Sequence, residues 1–334
     1  MLGHPEMNYL GLIQLGLLAS VGFAFLTALM STVAYPLARQ RLFAMPPALR
    51  SNILLIWLIA PALIGVVLTT FTFLPSLLSL LGFSSDHCTI HDGHFHLCLF
   101  HPPLPMDNIT LQVCFVVLLG IATISIGKQI FKLLQAYKVQ RSLMMASKPF
   151  DVQGVYVVDW GMPLALSIGI RHMKIFISSQ LIQALSPKQL EIVLAHEQAH
   201  LNRKDSLRHF VAHAFSLFHF PWLRSNMLMD FDLATEQACD EAAVEKTGDR
   251  LNVADTILIV ERLFSVSRPP VMAMSISGSN ISSRVEALLV PSPTHRAVPK
   301  AHVVLALFGL LFFTLAMMGN LHHFTESALQ LVAG

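Results

Sequence analysis

Charge is what this sequence has least of. Asp, Glu, Lys and Arg make up 13% of its 334 residues, against 54% hydrophobic, whereas a soluble domain is about a quarter charged. That scarcity excludes an ordinary soluble domain and makes a membrane protein the first class to test. Four stretches carry no charged side chain for long enough to cross a bilayer core, which takes about 20 apolar residues in a helix. They are 9–34, 53–74, 109–127 and 303–320. No Lys or Arg precedes the first of them, which excludes the cationic start of a signal peptide, so it reads as a retained span.

Basic residues are also missing from whole segments. Of the 22 Lys and Arg, Arg39, Arg41 and Arg50 lie between the first two runs and the others fall between Lys128 and Lys300. Short loops rich in Lys and Arg stay in the cytoplasm. Both termini and the loop 82–108 are therefore expected outside, and the region 128–300 inside. The net charge of +2 gives no reason to expect direct nucleic-acid binding. Asp and Glu are absent from the apolar runs, which weakens a reading as a metal transporter.

Four cysteines are too few for a disulfide scaffold. Cys114 and Cys239 read as packing residues. Cys88 and Cys98 share the outer loop with His87, His91, His94, His96 and His101. A Cys88–Cys98 disulfide and a pH-dependent zinc or copper site are both open readings of that loop.

What is present is concentrated in the inner region. After the third run, KQIFKLLQAYKVQRSLMM suits either a helix leaving through the headgroup layer or a solvated linker helix. VYVVDW, PLALSIG and KIFIS read as a small sheet, with KIFIS near the edge to which a substrate strand would add. SPKQ opens a helix with Ser186 as N-cap, Pro187 at the first position and Gln189 closing a capping box. It is expected to run to about Phe210. A second helix is expected from Asp232 to a stop at Gly248.

On the first helix stands His196-Glu197-Gln198-Ala199-His200. Two histidines four apart share a face and can converge on one zinc ion, while Glu197 can reach a water activated there and act as general base. A third ligand is needed. Ser206 occupies the position where a third His would follow in one variant of the motif, so the ligand must come from elsewhere. Glu236 is the best candidate, with Asp240 one turn on to orient a ligand histidine. Asp205 could orient a ligand or pair with Arg208. His209, His213 and His219 read as core or membrane-facing histidines.

SIGIRHMKIFIS, LSPKQLEIVLAHEQAHLNRKDSL, HFPWL and EQACDEAAV, in that order, resemble the BlaR/MecR antirepressor metallopeptidases. The resemblance implies an α-helical integral membrane protein with an inserted α+β, gluzincin-like zinc-metallopeptidase domain. It implies three helices and an outer loop in 1–127, the peptidase in 128–300, and a fourth span and short tail in 301–334. One catalytic Zn2+ would be held by His196, His200 and Glu236 in the bacterial cytoplasmic membrane. The implied protein or peptide substrates are the chain itself and a BlaI/MecI-type repressor, and the bilayer and a second copy as a homodimer are further expected partners. After 320 only LHHFTESALQLVAG follows, so β-lactam sensing by a penicillin-binding domain is not expected. An HtpX-like quality-control protease and a non-catalytic metal-sensing receptor are the alternatives.

Overall fold

The structure is a computed structural model and describes residues 10–82, 109–169, 173–267, 278–290 and 318–333. The outer-loop residues His87, Cys88, His91, His94, His96, Cys98 and His101 lie outside that set, as does the span expected at 303–320 except for Met318–Asn320.

Among the described residues, three helices are long and apolar enough to cross a membrane. They are α1 (Leu10–Phe43), α2 (Pro47–Thr72), which leads directly into the short α3 (Leu74–Leu80), and α4 (Ile109–Ala146). Each outlasts the charge-free run that announced it. The 34 residues of α1 span about 50 Å at 1.5 Å per residue, more than the ~30 Å hydrocarbon core, and Arg39 and Arg41 ride its last turns. KQIFKLLQAYKVQRSLMM continues α4 without a break. Helices α1 and α2 pack as a hairpin, so closely that a Cβ on Gly65 would fall 2.5 Å from the Ser20 carbonyl oxygen.

The polypeptide then forms β1 (Ser147–Pro149), β2 (Val155–Val158), β3 (Ala165–Ile168) and β4 (Lys174–Ser178). Their order is β1-β2-β4-β3, with β2 and β4 parallel and both outer pairs antiparallel. KIFIS is therefore central. Ile175, Phe176 and Ile177 are all buried, as expected of a strand covered on both faces, and the strand beside the HExxH helix at the sheet edge is β3. The three-residue SKP strand carried too little pattern to be read from the sequence.

After α5 (Ser179–Ala184) comes α6 (Pro187–Arg203), which opens with the capping box read from the sequence. It does not reach Phe210. Lys204 turns left-handed at φ 56°, ψ 43°, and α7 (Asp205–Phe215) begins at the next residue. A non-glycine residue there costs about 1–2 kcal/mol. What offsets it is tertiary, because the break aims a buried Asp205 back at α6.

Helix α8 (Pro221–Thr247) starts well before Asp232. Its first turns lack charge patterning because Leu223, Met227 and Phe231 face the membrane hairpin, packing with Tyr35, Leu42, Leu54 and Leu58. Gly248 stops it at φ 74°. Helices α9 (Arg250–Ser267) and α10 (Gly278–Leu289) close a second core with Ile192, Ala195, Ala243 and Val244.

The two ends of α2 meet different partners. Near its start, Arg203 donates to Ser51 Oγ at 2.6 Å, Arg208 to Asn52 at 2.7 Å, and Arg50 to Gln237. At its end the Thr72 carbonyl is 2.8 Å from His322 Nδ1 on α11 (Met318–Ala333).

Candidate metal centre

The face of α6 that carries His196 and His200 looks onto α8, one turn of which carries Glu236 and Asp240. His196 Nε2 and His200 Nε2 are 3.2 Å apart. Glu236 offers Oε2 to the first at 3.5 Å and Oε1 to the second at 3.6 Å.

Behind each histidine stands an aspartate. His196 Nδ1 is 3.0 Å from Asp240 and His200 Nδ1 is 2.9 Å from Asp205. An ionised carboxylate only accepts, so each Nδ1 carries a proton and donates it. Each ring is thereby oriented with Nε2 toward its neighbour, the arrangement by which carboxylates fix a ligand's tautomer. Two imidazole nitrogens and a carboxylate converging on one point require a positive charge between them. Ligand atoms about 2.0–2.1 Å from a tetrahedral zinc lie about 3.3 Å apart, and the distances here bracket that value. The donor set and its spacing fit zinc.

Electrostatics point the same way. Burial opposes charge on His196, but hydrogen bonds to Asp240 and Glu236, with the charges of both, outweigh it and push its pKa up to about 10. Glu236 is held far below the usual carboxylate range: its burial is overcome by its hydrogen bond to His196 and the charge of Arg284. Side chains alone thus hold one proton where a metal ion would stand. Asp205 and Asp240 are also depressed against their burial, the former by His200 and Arg203, the latter by Arg284 and His196.

Arg284 was not foreseen. From α10 it grips Asp240 at 2.7 and 2.8 Å in a two-pronged pair and reaches Glu236 at 3.0 Å. Nothing in SRVEALL distinguishes it from a solvated cation; only the packing of α10 against α8 does. Cys239 also lies close, its Sγ 3.4 Å from His200 Nδ1, and burial pushes its thiol up, so it stays a neutral packing group. Asp205 fulfils both readings, since Oδ1 is also 3.4 Å from Arg208 Nε. His219 is buried and contacts the Trp57 carbonyl at 3.1 Å. His209 and His213 do not join this centre, and they meet Asp232 instead.

Glu197 is nearly buried and lines the same cavity as the two histidines and Glu236. The cavity holds about 250 Å³, and α9 and α10 line it with Ile257, Val260, Phe264 and Ile281 beside the polar Thr256 and Glu261. Ala165 of the edge strand borders it. The two histidines, Glu197 and Glu236 therefore share one cavity with a largely apolar group of α9 and α10 side chains.

The family model described as BlaR1 peptidase M56 matches residues 113–288, more than half of the chain. No curated protein matches it.

Proposed function

The chain belongs to the BlaR1 peptidase M56 family of membrane metallopeptidases, and from that premise we propose that it is a zinc endopeptidase that cleaves a protein in response to a signal crossing the membrane. The observation that carries this reading is the convergence of His196, His200 and Glu236 within 3.2–3.6 Å, each histidine backed by an aspartate. The inserted domain is then of the α+β, gluzincin-like kind, with its sheet beside the HExxH helix.

His196, His200 and Glu236 would hold the ion. Zinc in such a site supplies Lewis-acid polarisation of the scissile carbonyl and makes water acidic enough to be deprotonated near neutrality. Glu197 accepts that proton at its carboxylate and returns it to the leaving amine. Asp240 and Asp205 keep both rings in register, and Arg284 keeps Asp240 and Glu236 ionised. A substrate strand would add to β3, setting alternate side chains against Val260, Phe264 and Ile281.

The sorting of Lys and Arg supports a cytoplasmic peptidase, with the termini and the loop 82–108 outside. Substrates of this reading are the chain itself or a BlaI/MecI-type repressor. Helix α4, whose apolar residues are largely exposed, would face lipid or a second copy. The contacts of Arg50, Ser51 and Asn52 with α6, α7 and α8 support signal transfer from the membrane hairpin.

The test is cleavage of a purified repressor and of the chain itself by full-length protein in nanodiscs, followed by intact mass. Wild type should cleave, and chelation should stop it. Glu197→Gln should keep zinc and lose about 10²–10⁴-fold in rate. Wild-type rates in the zinc-loaded Glu197→Gln protein would refute the reading.

A further inference from the structure

Two turns beyond the catalytic histidines, α7 presents a second pair with the same spacing, His209 and His213. Helix α8 faces it with Asp232, one turn before Glu236. The ligand-capable atoms of His209, His213 and Asp232 all lie within 4.8 Å of one another, with His209 Nδ1 3.2 Å from Asp232 Oδ1. The pattern of the first centre, an i, i+4 histidine pair on one helix and a carboxylate on α8, recurs between α7 and α8.

A second observation is independent of spacing. Asp232 Oδ1 is buried, yet among the described residues it accepts no hydrogen bond of acceptable geometry, even with the imidazole beside it. A buried carboxylate oxygen left so is costly, and a cation at the focus of the three side chains would satisfy it. The setting is otherwise prepared. The His209 ring is held edge-on against Phe231 at 5.0 Å between centroids. Arg224 of α8 donates to Ser216 Oγ at 2.9 Å, and it and Lys132 of α4 act on His213 by charge, not as partners. His209 and Asp232 keep about a third or more of their side-chain surface open, at 33% and 40%, which leaves an entry path and room for water as a further ligand.

We propose that His209, His213 and Asp232 form a second zinc site that clamps α7 to α8. Two imidazoles and a carboxylate suit zinc or its cobalt and nickel analogues better than calcium or magnesium. The clamp would lie between the two elements that complete the first centre, since α7 begins with Asp205 behind His200 and α8 carries Glu236. The proposal does not depend on proteolysis, and its failure would leave the catalytic reading untouched.

The probe is the metal alone. Full-length protein in detergent is titrated with Zn2+, and bound zinc per chain is measured for wild type and His213→Ala. The variant should bind one equivalent fewer. His213→Cys keeps a ligand, and with Co2+ it should show a thiolate-to-cobalt charge-transfer band in excess of any that the native cysteines give wild type and His213→Ala. Equal zinc in wild type and His213→Ala, or no such excess in His213→Cys, overturns the proposal. If His213→Ala does not fold, the cobalt spectrum decides alone.

Discussion

Ser51 of the membrane hairpin and Arg203 of the peptidase helix, 152 positions apart, are joined by a 2.6 Å hydrogen bond. Arg208 donates to the same hydroxyl at 3.0 Å. Both arginines also lie against Asp205, at 3.3 and 3.4 Å, and Asp205 orients His200. One hydroxyl at the start of α2 therefore holds the cations that surround the aspartate behind His200.

Removing that partner should be felt at the metal. Asp205→Asn should weaken zinc binding about 10–100-fold, the usual effect of losing a carboxylate behind a ligand histidine. Ser51→Ala should weaken it by less, because the arginines keep Asp205. Competition against a chromogenic chelator measures both, and equal affinities in all three proteins would show that the contact does not reach the site.

Arg284→Ala should cost stability. It leaves Asp240, buried, and Glu236 without their cation, and breaking a buried pair on one side costs about 3–5 kcal/mol. Arg284→Lys should not restore the loss, since an ammonium cannot reproduce the two-pronged geometry. Denaturant melts of the two variants, both well below wild type, would bear this out.

Zinc binding should release a proton and weaken in acid. With its pKa pushed up to about 10, His196 is protonated in the zinc-free protein at neutral pH and must give up that proton to ligate. Apparent affinity should therefore rise about tenfold per pH unit through neutrality and level off near pH 10. Asp240→Asn should move the levelling-off to lower pH, because it removes a negative charge that helps raise His196. Calorimetry in two buffers of different ionisation enthalpy counts the proton.

Lys204 is the only non-glycine residue with positive φ among those described. Lys204→Gly should leave stability within about 1 kcal/mol, since relief of the left-handed strain is offset by backbone entropy. Lys204→Val should lower stability further and weaken zinc binding by displacing Asp205, because a β-branched residue is an outlier at positive φ. Thermal melts and zinc competition on the same samples separate the two effects.

Local features were legible in the sequence because their causes are local. Three of the four charge-free runs marked the long apolar helices among the described residues, and the Ser186–Gln189 capping box and Pro187 located the start of α6. The spacing of His196, Glu197 and His200 followed from helical periodicity alone, and Glu236 with Asp240 from the same rule. The ends of elements were less legible. Helix α8 hides its first turns because their pattern answers to α2, and KIFIS is central because both its faces are covered.

The sequence by itself determined the membrane class, the helix face that bears the two histidines, and the carboxylates available to complete it. Tertiary structure alone decided the break at Lys204 that turns Asp205 onto His200, the arrival of Arg284 from α10, and the meeting of His209 and His213 with Asp232. Periodicity and caps act within a few residues and can be read along the chain. A left-handed break and an ion pair across helices are favourable only once distant segments have packed, and no local pattern records that.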